Sequence, residues 1–272
     1  TGLKVQDFLE GARLALSMGL QCGRAGRDLA GEFPCADLGT WDAEAAVVLA
    51  QSIRELGLDI SALQVHVDYV FADGRERERR LDHTRRMIDL AHAMAVGVVH
   101  TVSGPLPPGL DEAKAWDDLA EAYDALCSHA CAAGVSPAIE PVFVYLVGNL
   151  STTKRLAEAM GRDDLYINFD PSHFPYHRED PEGFLEAFGP RIVHAHAKDA
   201  RIIPLQIGSP LPANSFYMGN EEAFTFAPPG AGVLDWPAVV KGLQATGFDG
   251  VVSLELGHGI PDEVGAARDT AR

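Results

Sequence analysis

The sequence predicts an eight-stranded (β/α) barrel, and three observations carry that prediction. Its 272 residues match the usual size of one such barrel. Short apolar segments alternate with amphipathic ones of helical length, which implies a parallel sheet covered by helices. Ionisable residues also recur at the ends of successive apolar segments, where barrels of this kind keep their chemistry. A single domain over residues 1–272 is therefore expected. An open doubly wound sheet is the alternative fold. No Gly-x-Gly-x-x-Gly turn follows any strand, which argues against its dinucleotide-binding form.

The elements follow in order. Residues 5–18 carry apolar side chains at helical spacing and stop at Gly19, before a short apolar stretch at Leu20–Cys22. A helix over 42–56 ends at Gly57 and leads to the strand Leu63–Val67. A helix over 75–95, charged on one side, leads through Gly97 to Val98–Val102. A helix over 111–133 ends at Gly134 and yields to Pro137–Glu140, and a helix over 152–160 precedes Tyr166–Asp170. A short helix over 181–188 precedes Ile192–His196, and one over 236–246 precedes Gly250–Glu255. That makes seven strands. The opening helix begins so early that the first strand of the barrel is expected to be truncated or missing. Residues 201–233, with Pro204, Pro210, Pro212, Pro228 and Pro229, are expected to form a long irregular loop over the active-site end.

Composition narrows the class. With 22 Lys and Arg against 39 Asp and Glu, the net charge is −17, which repels phosphate backbones and predicts no nucleic-acid partner. No apolar run reaches the roughly 18 residues of a membrane span. Thr1-Gly2-Leu3-Lys4 shows no charged-then-apolar leader, so a soluble cytoplasmic protein is expected. Cys22, Cys35, Cys127 and Cys131 have no zinc-type spacing, and the last two, four apart on a helix, are expected to be a pair of buried thiols.

The polar residues at strand ends carry the functional prediction. Glu140, Asp170, His196 and Glu255 each close one of four successive strands. Neighbouring barrel strands lie roughly 5 Å apart, so these side chains converge. Three carboxylates and an imidazole suit one divalent ion, Mn²⁺ first, with Mg²⁺, Co²⁺ or Zn²⁺ as alternatives. By strand parity His194 shares a face with His196 one layer deeper, and is assigned to support.

At these positions the sequence resembles the xylose isomerase-like barrels, the sugar phosphate isomerases and epimerases. Asp170-Pro171-Ser172-His173 is similar to their Asp-x-x-His element, and His196-Ala197-Lys198-Asp199 to their His-x-Lys-Asp element. Pro229–Gly232, Asp235-Trp236, Gly247–Gly250 and Ser253-Leu254-Glu255 agree with their closing segment. The resemblance implies that Glu140, Asp170, His196 and Glu255 bind the metal. It places His173, Lys198 and Asp199 at the substrate, and His66 joins them as a candidate contact.

The expected function is a divalent-metal-dependent isomerase or epimerase of carbohydrate metabolism. It would act on a ketose or hydroxy-ketone through an enediolate, with Glu140 and Glu255 exchanging the proton. A metal-dependent lyase is the alternative, resembling inosose dehydratases or enzymes that cleave C-glycosides, since loss of a β-hydroxyl starts from the same proton transfer. A non-catalytic sugar-binding barrel and a three-zinc apurinic endonuclease are further rivals. His66 and His100 stand where zinc ligands of that nuclease would fall, but the acidic charge opposes it. The partners expected are a small sugar or polyol, with a homo-oligomer compatible. The apolar run Pro141–Tyr145 and the aromatics Phe216, Tyr217, Phe224 and Phe226 are expected to shape the pocket, to form a lid or to meet a partner chain.

Overall fold

The computed structural model describes residues 22–26, 42–71, 73–206, 208, 210–211 and 214–255. The expected helix over 5–18, the start of the Leu20–Cys22 strand and the first strand expected to be truncated or missing lie outside them. The described residues fall into two compact units that divide between Asn168 and Phe169.

In the first unit five strands pair in parallel and in chain order: β1 (Cys22–Gly26), β2 (Asp59–Val65), β3 (Val98–Thr101), β4 (Ser136–Ile139) and β5 (Tyr166–Phe169). Helices α1 (Ala43–Glu55), α2 (Gly74–Ala93), α3 (Glu112–Ala133) and α4 (Leu150–Met160) make the crossovers. Each begins at a short polar side chain that accepts a backbone N–H of the first turn: Asp42, Asp73, Asp111 and Asn149. α3 and α4 end on Gly134 and Gly161 in the left-handed conformation, which a side chain would strain.

β2 to β5 carry buried side chains along most of their length, as a parallel sheet requires. Leu63, Val65, Val99, Ala138, Ile139 and Ile167 pack against Leu49, Ile53, Met87, Ile88, Leu119 and Leu126 of the helices, all closed to solvent. Each large aliphatic side chain so buried contributes about 1.5–3 kcal/mol. Two tyrosines cross this core without leaving a hydroxyl stranded. Tyr69 Oη lies 3.0 Å from Thr84 Oγ1, and Tyr123 Oη lies 2.9 Å from Thr101 Oγ1.

The two helical cysteines differ, contrary to the expected pair of buried thiols: Cys127 is buried and Cys131 is exposed. They stand on one side of α3, but only Cys127 is covered, its Sγ lying 3.6 Å from the Asp164 carbonyl oxygen. Burial, reinforced by the Asp164 carboxylate, pushes the Cys127 thiol up to about 12, so it stays protonated in neutral solution. Iodoacetamide at pH 8 is therefore expected to alkylate Cys131 and spare Cys127 in the native protein, as read by peptide mass mapping. Equal labelling of both would show that α3 opens.

The second unit contains α5 (Pro181–Phe188), β6 (Ile192–Ala197), β7 (Asp199–Pro204), β8 (Ser215–Gly219), β9 (Glu222–Ala227), α6 (Trp236–Ala245) and β10 (Val251–Leu254). A 3-10 helix, Pro171–His177, follows β5. β6 and β10 are parallel, with Ser253 opposite His196. Phe169, Phe174, Phe184 and Phe188 form the aromatic core, the rings of Phe174 and Phe184 stacking at 4.9 Å.

Residues 201–233 are not the irregular loop expected. β7, β9 and β8 form a three-stranded antiparallel sheet in that order, with Arg201 opposite Thr225 and Phe224 opposite Phe216. The prolines bound the strands: Pro204 ends β7, and Pro228 and Pro229 follow β9. The β8–β9 hairpin turns through Asn220 and Glu221, both at positive φ, which is the two-residue turn that matches strand twist. A single run of turn-forming residues thus concealed three short strands.

Candidate metal and substrate site

The backbone sets the site residues at strand ends. In the first unit Glu140 follows β4, and its N–H donates to the Thr101 carbonyl at 2.9 Å, which extends the β3–β4 ladder by one bond. Its side chain is 3% exposed, and Oε2 lies 2.5 Å from Nε2 of the fully buried His100 in β3. The ring of His66, just past β2, stands edge-on to His100 with centroids 4.7 Å apart. Gln64 Nε2 is 2.7 Å from His66 ring nitrogen. Candidate ligand atoms of His66, His100 and Glu140 lie within 4.8 Å of one another. Among the residues expected at the site, Glu140 and His66 are thus brought together within this unit. The sequence offers His100 only as a zinc ligand of the nuclease alternative. The available signal is an imidazole inside the apolar strand expected at Val98–Val102.

The apolar run after Glu140 has a packing explanation. Pro141, Phe143 and Val147 are buried, and a turn closed by Tyr145 N–H to the Val142 carbonyl at 2.8 Å leaves only Val144 outward among the large apolar side chains there.

In the second unit Asp170, His173, His196, Lys198 and Glu255 meet. Asp170 caps the 3-10 helix, one oxygen accepting the Ser172 N–H at 2.9 Å. Its other oxygen lies 3.2 Å from Lys198 Nζ, 3.4 Å from His173 Nε2 and 3.7 Å from His196 Nδ1. Glu255 is held at the end of β10 by its N–H, which donates to the Ala197 carbonyl at 3.1 Å. Its carboxylate reaches His196 Nδ1 at 2.5 Å and Lys198 Nζ at 3.6 Å. Asp170, His173, His196 and Lys198 are buried, while the Glu255 side chain keeps 28% of its surface exposed. His194, on the same strand, stands edge-on to His196 with ring centroids 5.4 Å apart.

Two carboxylates, one of them buried, beside an imidazole attract cations, and the Lys198 ammonium already stands against both. Ligand atoms of Asp170, His196 and Glu255 lie within 4.8 Å of one another, close enough for one divalent ion to bridge, and the hard oxygen-rich set suits it. The residues therefore fit the metal that the sequence implies.

Asp199, expected beside the substrate, has another task in the structure. Its Oδ1 accepts from the N–H groups of Ala200 at 2.7 Å and Leu234 at 3.2 Å. Its Oδ2 accepts from the N–H groups of Gly230 at 3.0 Å and Gly232 at 3.1 Å, and from Trp236 Nε1 at 3.1 Å. Both oxygens are thus engaged by the start of β7 and the segment leading into α6. Gly232 permits that approach, because a Cβ there would strike the Asp199 carboxylate and the Ala200 carbonyl.

Carboxylates and an imidazole grouped at parallel strand ends make a possible metal site, and comparison with known proteins gives the family. The chain belongs to the xylose isomerase-like TIM barrel family, whose profile matches residues 17–272. The expected (β/α) barrel is that family's fold. An inosose dehydratase of Yersinia enterocolitica is 27% identical over 202 residues, covering 68% of this chain. The match spans 65% of that relative, just under two thirds of its length. Two solved structures share the fold. A xylose isomerase-like TIM barrel protein from Mycobacterium smegmatis in complex with magnesium has a TM-score of 0.75 at 16% identity, covering 99% of this chain and 87% of its own. An L-ribulose 3-epimerase has a TM-score of 0.73 at 17% identity, covering 97% and 86%. No helix among the described residues is long and apolar enough to cross a membrane.

Proposed function

We propose that the protein is a divalent-metal-dependent lyase that removes water from a polyhydroxy ketone of the inosose kind. The observation that carries this reading is the group Asp170, His196 and Glu255 with the Lys198 ammonium between its two carboxylates. The family pattern assigns Glu140 as the fourth ligand, and Mn²⁺ is the first ion to try, followed by Mg²⁺, Co²⁺ and Zn²⁺. Water loss is placed ahead of the isomerase or epimerase reaction expected from the sequence because a relative matched over 68% of this chain is named an inosose dehydratase.

A bound divalent ion would supply Lewis-acid stabilisation of negative charge developing on the substrate's carbonyl oxygen. The chain's own residues perform the proton transfers. Glu255 is the carboxylate placed to take the proton beside the carbonyl, because it alone of the second unit's pair is open to a ligand. Lys198 directs N–H donors into the same space, held there by Asp170 at 3.2 Å, and stabilises the oxyanion. His173 gives a proton to the departing β-hydroxyl. The C–H and C–O bonds break and a C=C bond forms between the two carbons, while the C–H proton passes to Glu255 and the hydroxyl leaves as water with the proton from His173.

A second reading keeps the isomerase or epimerase, with Glu140 returning the proton to the neighbouring carbon or to the opposite face. It is supported by the pair of glutamates on separate strands. One experiment separates the two. The protein, loaded with Mn²⁺, is incubated with a keto-inositol in D₂O and followed by proton NMR. Formation of an unsaturated ketone with loss of one water is expected. Deuterium wash-in without water loss would favour the isomerase or epimerase, and neither would reject proton-transfer chemistry on this substrate class.

A further inference from the structure

Phe226 lies near the end of β9, opposite Ala200 in the β7–β9 ladder. The Lys198 ammonium lies over its face, Nζ 4.2 Å from the ring centroid. The ring also meets His173 edge-on at 5.5 Å, and the Phe224 ring stands edge-on to it at 5.1 Å and fixes its plane. Lys198 is 5% exposed, so this contact is largely withdrawn from water, where a cation–π attraction is strongest. The same ammonium is 3.2 Å from Asp170 and 3.6 Å from Glu255.

A lysine ammonium and a divalent ion compete for the same carboxylate lone pairs. Lysine is a compact charge on a flexible stem, and it goes wherever its surroundings are most negative. The face of Phe226 is a further negative surface within reach of the same ammonium. We propose that Phe226 is a positioning residue that draws Lys198 to the side of Asp170 and Glu255, so that the antiparallel β7–β9 sheet tunes the divalent-ion affinity of the site. This inference rests on the metal reading above.

The test is a double-mutant cycle on the full chain, titrating Mn²⁺ by calorimetry into wild type, Phe226→Leu, Lys198→Met and the double variant. Leucine keeps the apolar volume and removes the quadrupole. Phe226→Leu is expected to weaken Mn²⁺ binding about 2- to 30-fold, the range that one such contact spans. Lys198→Met is expected to tighten it by removing the competitor, and adding Phe226→Leu to that background to change nothing further. Phe226→Tyr, which keeps the ring face, is expected to bind like wild type and serves if the leucine variant does not fold. An unchanged affinity in Phe226→Leu, or the same weakening in the Lys198→Met background, would overturn the proposal. If wild type takes up no Mn²⁺, the metal reading fails. The pair is then read from melting temperatures of chelator-treated protein, where non-additivity upholds the positioning and additivity refutes it.

Discussion

Glu255→Gln is expected to lower turnover by about 10²–10⁴-fold, the usual contribution of a positioned general base. The amide has nearly the shape of the carboxylate, and the side chain is partly exposed, so packing around β10 is unaffected and the melting temperature should move by only a few degrees. What changes is charge. Glutamine cannot take the proton beside the carbonyl, and it weakens the cluster's hold on a cation. His196 Nδ1, 2.5 Å from Glu255 Oε2, also loses a carboxylate partner. Deuterium wash-in followed by NMR reads the chemistry, and metal per chain by plasma mass spectrometry reads the ligation. Wild-type turnover would remove Glu255 from the mechanism. Full metal content with lost turnover would leave it as base alone. Glu140→Gln in the first unit provides the comparison. It lies buried, 2.5 Å from His100, so its neutralisation disturbs a closed pair, and a larger fall in melting temperature is expected there than for Glu255→Gln.

The strand ends were legible because parallel barrels impose a simple rule. Each buried strand is a short apolar run, and the first polar residue after it stands at the rim. Glu140 after β4, Asp170 after β5 and Glu255 after β10 obey that rule, and the acidic and amide caps announce the helices that follow. His100 was harder to read. A single imidazole in an apolar strand looks like a core residue until the neighbouring strands show what faces it. The β7–β9 sheet was hidden for a different reason. Its strands are five or six residues long and bounded by proline and glycine, so any window wide enough to show alternation is dominated by the turns. The hairpin at Gly219-Asn220 was the local signal that remained. Phe226 follows from that omission, since only a strand paired with β7 brings its ring to Lys198.

Asp199 was the least legible of the expected site residues, because four of its five donors are backbone N–H groups, three of them more than thirty residues downstream as the chain runs. Its removal is expected to be the most destabilising single change in the second unit. The carboxylate is fully buried, and these five donors are the hydrogen-bond partners found for it among the described residues. Asp199→Ala would leave five N–H groups facing a cavity, and each donor stranded without a partner costs about 1–3 kcal/mol before water enters. Since water and loop movement recover part of this, a net loss of about 3–5 kcal/mol is expected from urea unfolding. Trp236→Phe removes one donor and leaves the other four, so a loss of about 1 kcal/mol is expected for it. Asp199→Asn distinguishes charge from shape. Its amide oxygen can serve one side of the cradle, but its NH₂ turns a donor toward donors on the other, and it should fall near the alanine variant. If all three variants lost less than about 1 kcal/mol, the loop would be held by other contacts, and Asp199 would return to the substrate-facing role that its motif implies.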